Sequence, residues 1–238
     1  MNERSSCRDR RDNRGARCRL VLLPASATLF FIAASHAEPQ FHSLLEVSTG
    51  EVRAAGLSSD GQAAAGNYKW QQNLTLAFHW SRASGVVFLG WPAGTNGQMA
   101  NAISSDGKVI CGDHLYQSAL TANIMRWSAS DGLQNLGSFA GSNNSTASAL
   151  NADGSILGGK SGFTPGAFRA YTWSLDAGLV DTGTFAGAAN YSIQAFCANG
   201  SIAVGQSSVS ASMHATQWTF PGHVKDLGTL PGGFISIA

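Results

Sequence analysis

An Asp-Gly or Asn-Gly pair recurs four times along the chain, at Asp60-Gly61, Asp106-Gly107, Asp153-Gly154 and Asn199-Gly200. The glycines stand 46, 47 and 46 residues apart. Each is followed at +5 by another glycine: Gly66, Gly112, Gly159 and Gly205. A tryptophan comes next, Trp80, Trp127, Trp173 and Trp218, then Gly90, Gly137, Gly183 and Gly228, and four residues later Gly94, Gly141, Gly187 and Gly232. Landmarks that stay in register over four copies define a tandem repeat, and periods of this length belong to propellers, solenoids or arrays.

Each copy reads as four short strands. In the second, Met99 to Ser105 is extended, with small Ala100, Ala102 and Ser104 on one face. Asp106-Gly107 fits a two-residue type I′ turn, whose positive φ angles favour Asp or Asn before Gly. Lys108 to Cys111 is a return strand apolar on both faces, ended by Gly112, and Asn123–Trp127 and Leu133–Leu136 supply the third and fourth strands. No apolar pattern of period 3.6 lasts three turns after the N-terminal segment, so the body is expected to be all-β. Four strands in about 46 residues is the content of a propeller blade. We expect four tandem four-stranded blades, with a β-solenoid or an open repeat array as the alternative. The small residues suit an innermost strand, and Trp80, Trp127, Trp173 and Trp218 suit packing between blades.

Counted from the hairpin glycines, the units run 53–98, 99–145, 146–191 and 192–236, with 38–52 as a lead-in strand. A fifth unit would start near Ile237, so either four units suffice or the array continues. Residues 1–37 read as a signal peptide. Seven arginines precede an apolar run from Leu20 to Ala34, and Ser35-His36-Ala37 places small residues before Glu38. The run is short of the ~20 residues of a spanning helix and Pro24 interrupts it, so cleavage is expected over anchoring, with no membrane span afterwards. Asp12-Asn13 after Arg10-Arg11 favours the ordinary secretory route over the twin-arginine one. Beyond residue 37 the chain carries eight Lys/Arg against eleven Asp/Glu. No basic stripe exists there for nucleic acid. Only 12% of residues are charged, about half the usual share of ~25%.

Residues Gly154 to Ser161, GSILGGKS, match the phosphate-loop pattern GxxxxGK[ST]. That loop works by opening a helix whose amides cradle phosphate. Here both glycines are repeat landmarks and no helix pattern follows, so no nucleotide is expected. His42, His79, His114, His214 and His223 show no metal-binding spacing. Turn geometry accounts for Asp60, Asp106 and Asp153, and no GxSxG elbow occurs. No catalytic residue, metal or cofactor is assigned. Asn73, Asn144 and Asn190 open glycan sequons, which matter only in a eukaryotic secretory pathway. Cys111 and Cys197 occupy different repeat phases; export permits a bridge, but two small buried apolar side chains is the simpler reading.

Several of these residues resemble a known family. Asp226 to Ser236, DLGTLPGGFIS, resembles the DLGTLGG…S segment of the bacterial HAF repeat, an extracellular repeat. His214-Ala215-Thr216-Gln217-Trp218 is similar to the His-Ala-Phe…Trp signature of that family, with Thr216 in place of Phe. Ala102 to Gly112 resembles its A-I-S-x-D-G-x-V-V-x-G stretch. The first three copies depart from the triplet, reading Leu76-Ala77-Phe78, Asn123-Ile124-Met125 and Arg169-Ala170-Tyr171. The resemblance implies an exported bacterial protein and carries no catalytic residues to transfer.

Function should lie where the copies differ. They differ most after the second strand, over 67–76, 113–122, 161–168 and 206–213, where Trp70, Tyr116 and Phe163 are the candidate binding residues. Two functions follow: a non-catalytic extracellular or periplasmic module that binds a protein or glycan, or a secreted propeller enzyme acting on glycans. Convergence of Asp113, His114, Asp131, Asp176, Asp181 and Arg169 on one pocket would favour the enzyme.

Overall fold

The computed structural model describes residues 50–71, 74–91, 93–116, 121–139, 141–163 and 167–238. The signal peptide expected over 1–37, and most of the lead-in, lie outside them. Sixteen strands and no α-helix occur among the described residues. Blade 1 comprises β1 (Glu51–Leu57), β2 (Ala63–Gln71), β3 (Leu74–Ser81) and β4 (Gly85–Phe88). Blade 2 comprises β5 (Thr95–Ile103), β6 (Val109–Tyr116), β7 (Ala122–Ser128) and β8 (Gly132–Gly137). Blade 3 comprises β9 (Ser142–Leu150), β10 (Ile156–Phe163), β11 (Ala167–Ser174) and β12 (Gly178–Asp181). Blade 4 comprises β13 (Ala188–Phe196), β14 (Ile202–Val209), β15 (Ser212–Thr219) and β16 (His223–Gly228). Every blade is an antiparallel meander. Its first strand starts a few residues before the unit start counted from the hairpin.

The hairpins differ from the type I′ expectation. Gly61, Gly107, Gly154 and Gly200 have φ between 68° and 74°, while the preceding Asp or Asn has no positive φ. In blade 1 the Gly61 N–H donates to the Ser58 carbonyl and the Ser58 N–H to Ala63, which makes a four-residue loop built on a type I turn. The Asp side chain then has a different task. Asp60 Oδ1 accepts the Gln62 N–H at 2.9 Å and the Ser58 hydroxyl at 2.7 Å, and the Ser58 hydroxyl in turn accepts the Ala63 N–H. These donors, the Gln62 amide first, hold Asp60 below the usual carboxylate range.

Cys197 stands where the other copies have Ser58, Ser104 and Asn151. Its Sγ lies 3.0 Å from Asn199 Oδ1 and accepts the Ile202 N–H at 3.1 Å. It is therefore a turn cap and not a small buried apolar residue; the Ser201 hydroxyl, first among its neighbours, lowers its pKa. Cys111 is fully buried, burial drives its pKa well up, and both thiols are free. In the folded protein a disulfide-exchange reagent should modify Cys197 and spare Cys111. Cys197→Ser should leave stability in urea within about 0.5 kcal/mol, because serine already fills that place twice. Cys111→Ser should cost about 1–3 kcal/mol, because its hydroxyl would be buried without a partner.

The +5 glycines have a second physical basis. At one repeat phase the pairing of each first strand skips a residue, Ala55, Asn101, Ser148 or Gln194. This recurring β-bulge sits opposite Gly66, Gly112, Gly159 and Gly205 and pushes a backbone carbonyl onto them. A Cβ on Gly112, Gly159 or Gly205 would collide with the carbonyl oxygen of Met99, Thr146 or Ser192. Gly112 thus does not end the return strand: β6 passes through it to Tyr116. The bulge also turns Ala100 and Ala102 to opposite sides of their blade, so they do not share a face.

Three apolar clusters fill the spaces between successive blades. Trp127 joins Ala65 and Ala77 of blade 1, Tyr171 and Trp173 meet Cys111 and Ile124 of blade 2, and Trp218 meets Ala149 and Ala170 of blade 3. Full burial of a side chain as large as Trp218 removes enough apolar surface to contribute about 2–3 kcal/mol. Trp80 belongs to none of these clusters and is half-buried on the free face of blade 1.

Backbone bonds tie the hairpin tips together. The Ser59 N–H donates to the Ser105 carbonyl, Ser105 to Ala152, and Ala152 to Ala198. At the opposite end, single parallel bridges join Thr75 to Gly97 and Ala122 to Asn144. Met213 pairs in the same way with Ile235, so the last residues lie where a first strand begins. Among the described residues no packed face joins blade 4 to blade 1, and the four blades form an open arc.

Candidate functional site

The candidate binding residues sit at the blade end remote from the hairpin tips. They are not on long loops as expected: β2, β6, β10 and β14 continue past the +5 glycine, and paired strand takes up most of those stretches. Trp70 lies in β2 and is 53% exposed. Tyr116 closes β6, and its hydroxyl accepts Asn123 Nδ2 at 3.3 Å and Asn135 Nδ2 at 2.9 Å. Phe163 closes β10 opposite Ala167.

In blades 2, 3 and 4 the same end carries one cross-strand pair, all at one repeat phase. In blade 2 it is Asn123 and Asn135, joined through Tyr116. In blade 3 Arg169 Nη1 meets Asp181 Oδ2 at 2.7 Å. In blade 4 His214 Nδ1 meets the Asp226 carboxylate at 2.9 Å. Blade 1 has Leu76 and Phe88 at that phase, neither of them polar. The Arg169–Asp181 and His214–Asp226 pairs are part-exposed and each contributes at most about 1 kcal/mol. Their value is presentation: they fix polar groups in a row along the arc. The His214–Asp226 bond joins residues of the two separate motifs, which sequence alone does not show to be in contact.

The six residues whose convergence would favour catalysis are scattered. Asp113 and His114 are successive residues of β6, so they point to opposite faces, and both are buried. Burial lowers the His114 pKa, which keeps its imidazole neutral. Asp131 bonds Arg126 at 2.9 Å and, like exposed Asp176, lies at the hairpin end. Asp181 and Arg169 are at the other end. Among the described residues no three His, Cys, Asp or Glu side chains gather to hold a metal ion.

Asp113 has a structural task that sequence reasoning missed. Its Oδ1 accepts the Ala147 N–H of blade 3 at 3.1 Å, and its Oδ2 accepts Asn101 Nδ2 at 2.9 Å. Asn67, the equivalent residue of blade 1, clamps Ala100 of blade 2 through both amide atoms at 2.8 Å. Asp113 has no donor for the Ala147 carbonyl, and the bulged Asn101 provides it at 2.8 Å. Burial pushes the Asp113 pKa up to about 7, against the lowering effects of Asn101, Ala147 and Lys160. The visible signal was a polar residue after each +5 glycine: Asn67, Asp113, Lys160 and Gln206.

The GSILGGKS run is a hairpin followed by β10, which pairs with β9 and β11 along its length. Lys160 lies over the Phe168 ring at 4.9 Å. These residues form neither the loop nor the helix of a phosphate-binding motif.

The sequence matches no protein-family model and no curated protein. Solved structures do resemble the arc. TolB from Acinetobacter baumannii superposes with a TM-score of 0.52 at 14% identity, over 75% of this chain and 44% of that one. A putative TolB from Agrobacterium tumefaciens gives 0.54 at 16% identity, over 76% and 63%. A structure from a study of two prolyl endopeptidases gives 0.55 at 12% identity, over 76% and 30%. The matched regions of these proteins are β-propellers. The fold here is a β-propeller arrangement of four blades. The chain spans between 30% and 63% of the length of these neighbours, and at such identities the likeness concerns the fold alone.

Proposed function

We propose that this chain is an exported, non-catalytic propeller module of the HAF-repeat type, which offers the remote end of its blades to a protein or glycan partner. The carrying observation is the row of pairs, Asn123 with Asn135, Arg169 with Asp181 and His214 with Asp226, beside exposed Trp70. General acid–base chemistry needs two groups within reach of one substrate atom. Here Arg169 with Asp181 and His214 with Asp226 are each paired within their own blade, which favours an extended contact surface over a reaction centre. Export to the periplasm, the cell surface or beyond is supported by the arginines, apolar run and small residues of 1–37. The HAF reading is supported by His214–Trp218 and Asp226–Ser236.

A glycan array and a pull-down with purified protein test this reading. Trp70→Ser combined with Tyr116→Ser should weaken partner retention at least tenfold while the melting temperature stays within a few degrees. Turnover of an arrayed glycan, lost in Asp181→Asn, would replace binding with the enzyme alternative.

A further inference from the structure

In blades 1 to 3 the residue before the repeat tryptophan points into the gap ahead of the next blade. In blade 1 this is His79. Its Nε2 lies 2.9 Å from the Gly107 carbonyl, and its ring lies 5.1 Å from that of Trp127. In blade 2 it is Arg126, whose guanidinium lies 5.8 Å from the Trp173 ring centre and bonds Asp131 and Gln134. Both gaps are thus closed by a planar nitrogen-bearing group. In blade 3 the equivalent residue is Thr172, and Ala177 and Val180 replace Asp131 and Gln134. All three are too short to close the gap.

A cavity of about 310 Å³ occupies this third gap. It lies at the low end of the ~300–1,000 Å³ range of small-ligand pockets. Thr172, Ala177 and Val180 line one side, and Gly200 and Phe220 line the other. Gly200 corresponds to Gly107, whose carbonyl receives the His79 nitrogen. Phe220 packs onto the cluster that contains Trp218 and supplies the aromatic wall.

We propose that this cavity is a binding site for a heteroaromatic ring with an N–H at its edge, an indole or imidazole, which donates to the Gly200 carbonyl and packs on Phe220. The protein's own first gap is the template: the ligand replaces the ring that His79 supplies there. The cavity extends from Gly200 at the hairpin end to Asp181 of the row of pairs, and its proposed ligand does not rest on the function proposed for that row.

Calorimetric titration of the purified protein with indole, 1-methylindole and N-acetyltryptophanamide tests the site. Indole should bind saturably at one site, and 1-methylindole, which lacks the donor, at least tenfold more weakly. Tighter binding of the amide than of indole identifies a peptide side chain as the source of the ring; the reverse identifies a free heterocycle. Thr172→His should close the gap from within and abolish binding. Ala177→Leu fills it from another position and should do the same if the first variant folds poorly. Equal binding of 1-methylindole, no saturable binding of any probe, or unchanged binding in both folded variants would overturn the proposal.

Discussion

Gly159→Ala should remove the cooperative unfolding transition of the protein, or lower its stability by at least about 3 kcal/mol, for the addition of one methyl group. The new Cβ would collide with the Thr146 carbonyl oxygen and lie 3.1 Å from the Ala147 Cα. Neither neighbour can yield easily. Both belong to the bulged strand β9, and β10 is held between β9 and β11. A suitable control is Gly132→Ala, where a Cβ would meet nothing within 4 Å but φ is 70°. That variant should lose only about 1 kcal/mol, the cost of the left-handed backbone for a residue with a Cβ. Urea titrations followed by circular dichroism compare the two. A Gly159→Ala protein within 1 kcal/mol of the parent would show that the bulge does not require the glycine.

Asp113→Asn should stabilise the protein at pH 8 and remove part of its pH dependence. The folded-state pKa of Asp113, about 7, lies above its ordinary 3.8. Its favourable contribution is therefore fully present below about pH 4 and is lost as pH rises through 7, where a carboxylate must be kept buried. Three pKa units correspond to about 4 kcal/mol at most. The asparagine would reproduce the Asn67 clamp without a charge, accepting from the Ala147 N–H. Carboxylates with lowered pKa values, such as Asp60 and Asp131, lose stability on acidification and act in the opposite sense. The informative quantity is thus the difference between variant and parent. That difference should grow by several degrees in melting temperature from pH 5 to pH 8. A constant difference would show that Asp113 does not titrate in this window.

The blades were legible because their strongest signals are local. A glycine in a tight turn and a tryptophan at fixed phase each report a nearby backbone or packing need, and four copies made the period plain. The bulges were not legible. An extra residue in a run such as Met99-Ala100-Asn101-Ala102 changes no hydrophobic pattern, yet it decides which face Ala102 takes and why Gly112 must be glycine. The environment of Asp113 was hidden for another reason: its partners Asn101 and Ala147 are brought to it by bulging and blade stacking. Cys197 could have been read as a turn cap from its alignment with Ser58 and Ser104. The cavity was present in the sequence as Thr172 among His79 and Arg126, but its meaning needed the knowledge that those side chains reach the next blade.

The ladder of hairpin tips gives the arc a direction. Every rung runs the same way, with an N–H on the lower-numbered blade and a carbonyl on the higher. The two ends are therefore chemically unlike. Blade 1 ends in the Ser59 carbonyl and blade 4 in the exposed Ala198 N–H. Two arcs meeting at like ends would set donor against donor or acceptor against acceptor. Only a head-to-tail neighbour continues the ladder, so any blade added to either end must arrive with the same polarity as the four already there.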